Sequence, residues 1–207
     1  MEVFDQNSQE YDQWFDDHPV WFQSELNALD KAVPSNGHGL EIGIGTGRFA
    51  EKLPINRGID PSENMARVAK QRGIETFLAK AENMPFLSDT FDFAVMITTV
   101  CFLDDIQKAF RETVRVLKPN GKFIIGMIDK DSPLGQKYQK NKEDNPFYRN
   151  AHFHSVSDIT ESLENTSFGD FEFWQTLITA SEEEPEEPQP GYGEGEGGFV
   201  VIRAVLQ

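Results

Sequence analysis

One stretch limits the fold more than any other: Leu40-Glu41-Ile42-Gly43-Ile44-Gly45-Thr46-Gly47-Arg48, an apolar run that enters glycines at alternate positions. A chain that turns from strand to helix through glycine leaves bare backbone N–H groups at the end of the strand, where a polar ligand can come close. The spacing excludes two related turns. A dinucleotide fingerprint requires glycine at 48, which is Arg48, and a phosphate-cradling loop requires Gly-Lys-Ser/Thr five residues after its first glycine, which is absent. A nicotinamide oxidoreductase is thereby disfavoured.

From Gly39 onward short apolar runs alternate with helical patterns, the sequence form of βαβ units around a mostly parallel sheet. The spacing predicts strands at Gly39–Ile44, Asn56–Asp60, Ile74–Leu78, Phe91–Thr98, Lys122–Asp129, Phe171–Ile178 and Phe199–Leu206. Phe91–Thr98 is apolar almost throughout, which places it centrally, buried on both faces. Helices are expected at Thr46–Leu53, ended by Pro54, at Ser62–Arg72, from Asp104 or Asp105 to Pro119-Asn120-Gly121, and from Ser157 to about Asn165.

The 207 residues are read as one domain with three additions. Residues 1–35 form a helical cap of one or two helices, with Tyr11, Trp14, Phe15, Trp21, Phe22, Leu26 and Leu29 at roughly helical spacing. Lys130–His154 is polar and without a clean period, a lid-like excursion. Ser181–Gly198 holds seven glutamates, three prolines and five glycines, a composition that predicts a mobile connector.

Charge and cysteine usage narrow the partners. Lys and Arg number 19 against 35 Asp and Glu, a formal net charge of −16 with no basic stripe, so a phosphate-rich duplex would be repelled. The first basic residue is Lys31, which gives no cationic leader, and Phe91–Leu103, interrupted by Asp92, falls short of the roughly 20 residues that cross a bilayer. The single cysteine, Cys101, permits neither an internal disulfide nor a multi-cysteine zinc site. A cytoplasmic protein acting on a small molecule, with neither nucleic acid nor membrane as partner and no metal, is expected.

The glycine turn reads Glu-x-Gly-x-Gly-x-Gly, and four further features stand in register with it: Gly58-Ile59-Asp60-Pro61-Ser62, Ala81-Glu82-Asn83-Met84-Pro85-Phe86, Phe91-Asp92-Phe93-Ala94-Val95 and Arg115-Val116-Leu117-Lys118-Pro119-Asn120-Gly121. Together they resemble the class I S-adenosylmethionine (SAM) methyltransferases, in particular the small-molecule group similar to the ubiquinone/menaquinone-biosynthesis enzymes. The resemblance covers roughly Tyr11 to the C-terminus. It implies a doubly wound, Rossmann-like, seven-stranded sheet, six strands parallel and the last antiparallel, with SAM over the carboxyl ends of the strands. It further implies that Glu41, Gly43 and Gly45 line the methionine part of SAM, that Asp60 pairs with the ribose, that Ala81 and Glu82 approach the adenine, and that Met65 packs on the base. Lys80 departs from the family, which often has an acid there.

The residues themselves leave several roles open. Asp60 lies seventeen positions after Gly43, close to the roughly 20 at which an acid on the neighbouring strand accepts ribose hydroxyls, but Asp60 and Glu41 are equally able to cap helices. Thr98 ends the fourth strand, where it either touches the methionine end of SAM or the acceptor, or packs. His152, His154 and Tyr148 are the candidates for a substrate wall or general base, and Tyr11 for a cofactor contact. Transfer is expected by in-line displacement on an N- or O-nucleophile, aided by proximity, with a tilt toward a cationic amine from the acids and aromatics near the mouth. The alternative is a non-catalytic SAM-binding regulator whose acidic connector recognises a partner.

Overall fold

The computed structural model describes residues 2–191 and 196–207; residues 192–195 of the acidic connector lie outside these. Three helices come first, α1 (Glu2–Gln6), α2 (Ser8–Asp17) and α3 (Pro19–Ala32), where one or two are expected. Pro19, which has no N–H to donate, starts α3 and divides it from α2. Then follow β1 (Gly39–Ile42), β2 (Arg57–Asp60), α4 (Glu63–Gln71), β3 (Glu75–Leu78), β4 (Phe91–Ile97), α5 (Ile106–Val116) and β5 (Leu117–Ile128). The chain closes with α6 (Pro133–Asn141), α7 (Val156–Glu164), β6 (Phe168–Thr176), β7 (Gln189–Pro190) and β8 (Phe199–Leu206).

The strands lie in the order β3-β2-β1-β4-β5-β8-β6-β7. Neighbours among β1 to β5 pair in parallel, and β8 runs antiparallel to both β5 and β6. The doubly wound, mostly parallel sheet with an antiparallel last strand is thus present, with eight strands among the described residues instead of seven. The additional one, β7, is a two-residue edge on β6, where Pro190 needs no N–H to donate. The order reverses between β1 and β4, and the crevice beyond their carboxyl ends is where open α/β sheets hold ligands.

Both faces of the sheet are covered, as the apolar β4 requires. Phe93, Val95 and Ile97 point to a core shared with Phe15, Leu29 and Phe49, while Ala94 and Met96 point to the opposite core with Phe110, Ile159 and Leu163. Asp105 caps α5 by accepting the Lys108 N–H at 2.9 Å.

Four local expectations change. Thr46–Leu53 is a chain of turns, because Gly47 sits at φ +81° and Pro54 stops the segment before two helical turns can form. The fifth strand starts at Leu117 instead of Lys122, with an irregular register against β4 where the Pro119-Asn120-Gly121 turn intervenes. The excursion 130–154 contains α6, nucleated by Pro133 and by Ser132 Oγ, which accepts the Gly135 N–H. The connector is tied down along part of its described length. Glu186 accepts the N–H groups of Ile178 at 2.7 Å and Thr179 at 3.1 Å, and its own N–H donates to Ser24 Oγ at 2.8 Å. Among the described residues no helix is long and apolar enough to cross a membrane.

Candidate functional site

A cavity of about 790 Å³ opens at the carboxyl ends of β1, β2 and β4 and runs beneath α1, α2 and the 142–152 segment. One end is built from backbone. Gly43, at φ +76°, donates to Ile59 O at 2.9 Å, and a Cβ on it would fall 2.4 Å from Thr99 Oγ1 and Cγ2. No side chain fits there, so the loop after β1 and the loop after β4 meet backbone to side chain. Gly45, at φ +54°, is glycine for its backbone conformation alone, since its nearest neighbour would be Tyr11 at 3.6 Å.

Asp60 ends β2 and holds this turn. Its Oδ2 accepts the Gly45 N–H at 2.9 Å and its Oδ1 accepts the Ser62 N–H at 2.8 Å. Burial raises its pKa against the lowering by those two bonds. A carboxylate offers about four acceptor positions, so two backbone donors leave it able to accept further hydrogen bonds from the cavity it lines.

Met65, Ala81, Glu82 and Thr98 also line the cavity. Glu82 Oε1 accepts the N–H groups of Asp104 at 3.0 Å and Asp105 at 3.2 Å, which fixes the mouth on that side. Lys80, the departure from the family, is ion-paired with Asp104 at 2.7 Å. Thr98 takes φ +47°, a strained conformation that turns the chain off β4.

Glu41 is the exception. It is buried behind the turn and is absent from the cavity wall, and its Oε2 has no hydrogen-bond partner among the described residues. Burial, with the nearby Asp60 adding, pushes its carboxyl well above the usual range.

The other end of the cavity is aromatic. Phe4 of α1 meets Phe102 at 5.0 Å and Phe147 at 5.5 Å, closing the first helix against the excursion. Trp14, Phe15, Trp21, Tyr138, Phe147 and Tyr148 share this wall with His152, and Tyr11, beside Gly45 and Thr98, joins the two ends. Burial pushes the Tyr148 hydroxyl well above its ordinary value, and the Tyr138 hydroxyl up to about 12. His154 lies outside the main cavity, beside a small void lined by Thr98, Cys101 and Tyr148, where burial lowers its pKa. Burial also pushes the Cys101 thiol up to about 12, so it is not poised as a nucleophile.

Two arrangements were not read from the sequence. Arg48 clamps α2 to the glycine turn, with Nε and Nη2 both 2.9 Å from Asp12 and a further bond to Asp16 at 2.8 Å. Arg72 joins Asp12 at 2.9 Å and Thr46 O at 2.8 Å. The other is Glu25, a carboxylate from the buried face of α3 that lines the cavity and is 5% exposed. Its only sequence signal is an acid four residues after Trp21 and four before Leu29, on a face otherwise apolar.

Comparison with known proteins agrees with this architecture. Residues 40–125 match the family described as a methyltransferase domain. The crystal structure of a SAM-dependent methyltransferase from Thermotoga maritima, described as a possible histamine N-methyltransferase, superposes with a TM-score of 0.95 at 42% identity, covering 100% of this chain and 99% of that one. An uncharacterised protein of Methanocaldococcus jannaschii is 42% identical over 205 residues, 99% of this chain and 98% of its own. A ubiquinone/menaquinone biosynthesis C-methyltransferase of Rickettsia peacockii is 27% identical over 217 residues, 90% of this chain and 82% of its own.

Proposed function

We infer, for a chain that belongs to the class I SAM-dependent methyltransferases, that one cavity serves two ligands: SAM at the backbone end and a small-molecule acceptor at the aromatic end. The observation that carries this reading is the continuity of the 790 Å³ space from the glycine turn to the aromatic wall. The backbone end fits the cofactor's chemistry, since Gly43 and Gly45 present bare backbone to the cavity and Asp60 keeps acceptor capacity for two vicinal hydroxyls. Met65, Ala81 and Glu82 flank the base, Thr98 stands at the methionine end, and Glu41 supports the turn from behind instead of touching the ligand.

Bound SAM supplies an electrophilic methyl group on a sulfonium, open to in-line displacement by an acceptor lone pair. The chain's part is to align and to exclude water. Phe4, Phe102 and Phe147 close over the space, and the aromatic wall holds the acceptor in one orientation. His152 stands on the acceptor side, whereas the buried Tyr148 stays a neutral phenol near neutral pH and is a wall residue. The Thermotoga protein's description brings amines first among N- and O-nucleophiles to test. The test is acceptor-dependent release of S-adenosylhomocysteine (SAH) across amines, phenols, carboxylates and thiols. Release with one class supports the reading, and release with none from a protein that binds SAM overturns it.

A further inference from the structure

The Glu25 side chain has no hydrogen bond or ion pair among the described residues, although it is buried in the cavity wall. One helical turn earlier, Trp21 lines the same wall, and its Nε1 is buried without a partner. Buried polar groups are almost always satisfied, and a buried carboxylate without a cation is among the most unfavourable arrangements a fold can keep. Here an acceptor and a donor without protein partners stand at i and i+4 on one face of α3; the Glu25 carboxyl borders open space, and Trp21 presents its ring to that space while its Nε1 is buried behind it.

Their surroundings specify the missing partner. Tyr11, Trp14, Phe15, Tyr138 and Tyr148 contribute aromatic rings to this end of the wall. Carboxylates of Glu10, Asp17 and Asp144 also border the cavity, while among the described residues its one lysine, Lys80, is already paired with Asp104. Ring faces and carboxylates both attract cations, and apart from His152 no uncommitted basic side chain borders the cavity among the described residues.

We propose that Glu25 and Trp21 form the acceptor-recognition pair of this enzyme and select a small cationic amine, whose ammonium N–H groups satisfy the Glu25 carboxylate. Trp21 offers its ring face to the same cation. The inference rests on the two-ligand reading of the cavity and specifies its acceptor half.

The experiment is calorimetric titration of the SAH-loaded protein with 2-phenylethylamine, tryptamine and n-butylamine, each beside its matching alcohol, and with 3-phenylpropionate. At least one amine should bind ten or more times more tightly than its alcohol, and the carboxylate should not bind. Glu25→Gln should reduce the amine's affinity at least tenfold, leave the alcohol unchanged and keep SAH affinity within twofold. Trp21→Phe, which keeps an aromatic wall, should weaken tryptophol or tryptamine less than Glu25→Gln weakens the amine. Equal binding of amine and alcohol, or amine binding indifferent to Glu25→Gln, overturns the proposal. A Glu25→Gln loss falling mainly on SAH overturns it too, by assigning the carboxylate to the cofactor. Failure of the unaltered chain to bind SAH at all overturns the two-ligand reading together with this one, and so separates the two failures.

Discussion

Asp60 Oδ2 accepts the Gly45 N–H at 2.9 Å, so the carboxylate proposed to hold the ribose also fixes the turn beside it. The two tasks are coupled: Gly45 positions the backbone end of the cavity, and Asp60 is held by Gly45 and Ser62 in return.

Asp60→Asn is therefore expected to do more than remove a charge. An amide has one acceptor oxygen, so its NH2 must face either the Gly45 or the Ser62 N–H, and one ribose hydroxyl loses its acceptor. SAM and SAH affinity should fall about ten- to a hundredfold, from one charge-assisted bond at roughly 1.5–3 kcal/mol. The thermal midpoint should drop by about 2–8 °C from the orphaned backbone donor. Calorimetric titration and a thermal scan check both, and unchanged affinity in a folded variant refutes the ribose assignment.

The glycines of the turn should respond unequally. Gly43→Ala puts a methyl 2.4 Å from Thr99 at a positive φ, and Thr99 cannot withdraw without giving up its 2.9 Å bond to Ile97 O. Gly45→Ala meets nothing nearer than 3.6 Å and suffers only the left-handed backbone, on the order of 1–2 kcal/mol. Gly43→Ala should be the more destabilising and should abolish SAM binding, whereas Gly45→Ala should fold and bind SAM at reduced affinity. Equal effects would show that the Gly43–Thr99 contact does not govern the turn.

The backbone half of the site was legible because its chemistry is local. Gly43, Gly45 and Asp60 sit where strand ends and turn signals put them, and Met65, Ala81 and Glu82, named through the family resemblance, line the same cavity with Thr98. Glu41, which the resemblance implied at the methionine part of SAM, lies buried behind the turn and off the cavity wall, since alternation along a four-residue strand does not tell which side of the following turn a side chain faces. Thr46–Leu53 read as a helix because its apolar spacing outweighed Gly47. The acceptor half was not legible at all, since it exists only where α2, α3 and the 142–152 segment converge over the sheet. No local pattern separates Glu25, inside that convergence, from Asp30, an exposed acid on the same helix.

The Arg48 clamp ties that convergence to the turn. Asp12 receives both Arg48 and Arg72 while partly buried; burial alone would raise its pKa, but Arg48, Thr46 and Arg72 outweigh it and hold it below the usual carboxylate range. Asp12→Ala takes the shared carboxylate from two largely buried guanidinium groups, leaving Arg48 to Asp16 and Arg72 to Thr46 O, and should destabilise by about 1–3 kcal/mol, with Asp12→Asn milder. Because α2 carries Tyr11 and Trp14 into the cavity, acceptor KM should rise in both variants more than SAM affinity falls. An unchanged KM would separate the clamp from the acceptor wall.

Glu25 gives a pH signature that the comparison with Glu25→Gln isolates. Burial pushes its carboxyl from 4.5 up to about 8, so between these values the folded chain holds a proton that the unfolded chain has released. Stability from this group is complete below about pH 4.5 and is lost as pH rises toward 8. Tyr11, Tyr138 and Tyr148, which face it from α2, α6 and the 142–152 segment, are all pushed upward by burial and stay neutral across this window. Asp60 and Glu41 are raised as well, so the comparison is between the unaltered chain and Glu25→Gln, in which those groups are shared. A His152→Gln background removes the imidazole on the same wall. Glu25→Gln should have the higher thermal midpoint at pH 8, and the gap should close toward pH 4.5. Amine binding to the SAH complex should run the other way: the ammonium stabilises the ionised carboxylate, so binding releases a proton near pH 7 and tightens by up to about tenfold per pH unit between 6 and 8. Titrations in buffers of different ionisation enthalpy count that proton. No proton release, with a Glu25→Gln midpoint that tracks the unaltered chain at every pH, would mean that the carboxylate is already ionised and hydrated in the empty cavity.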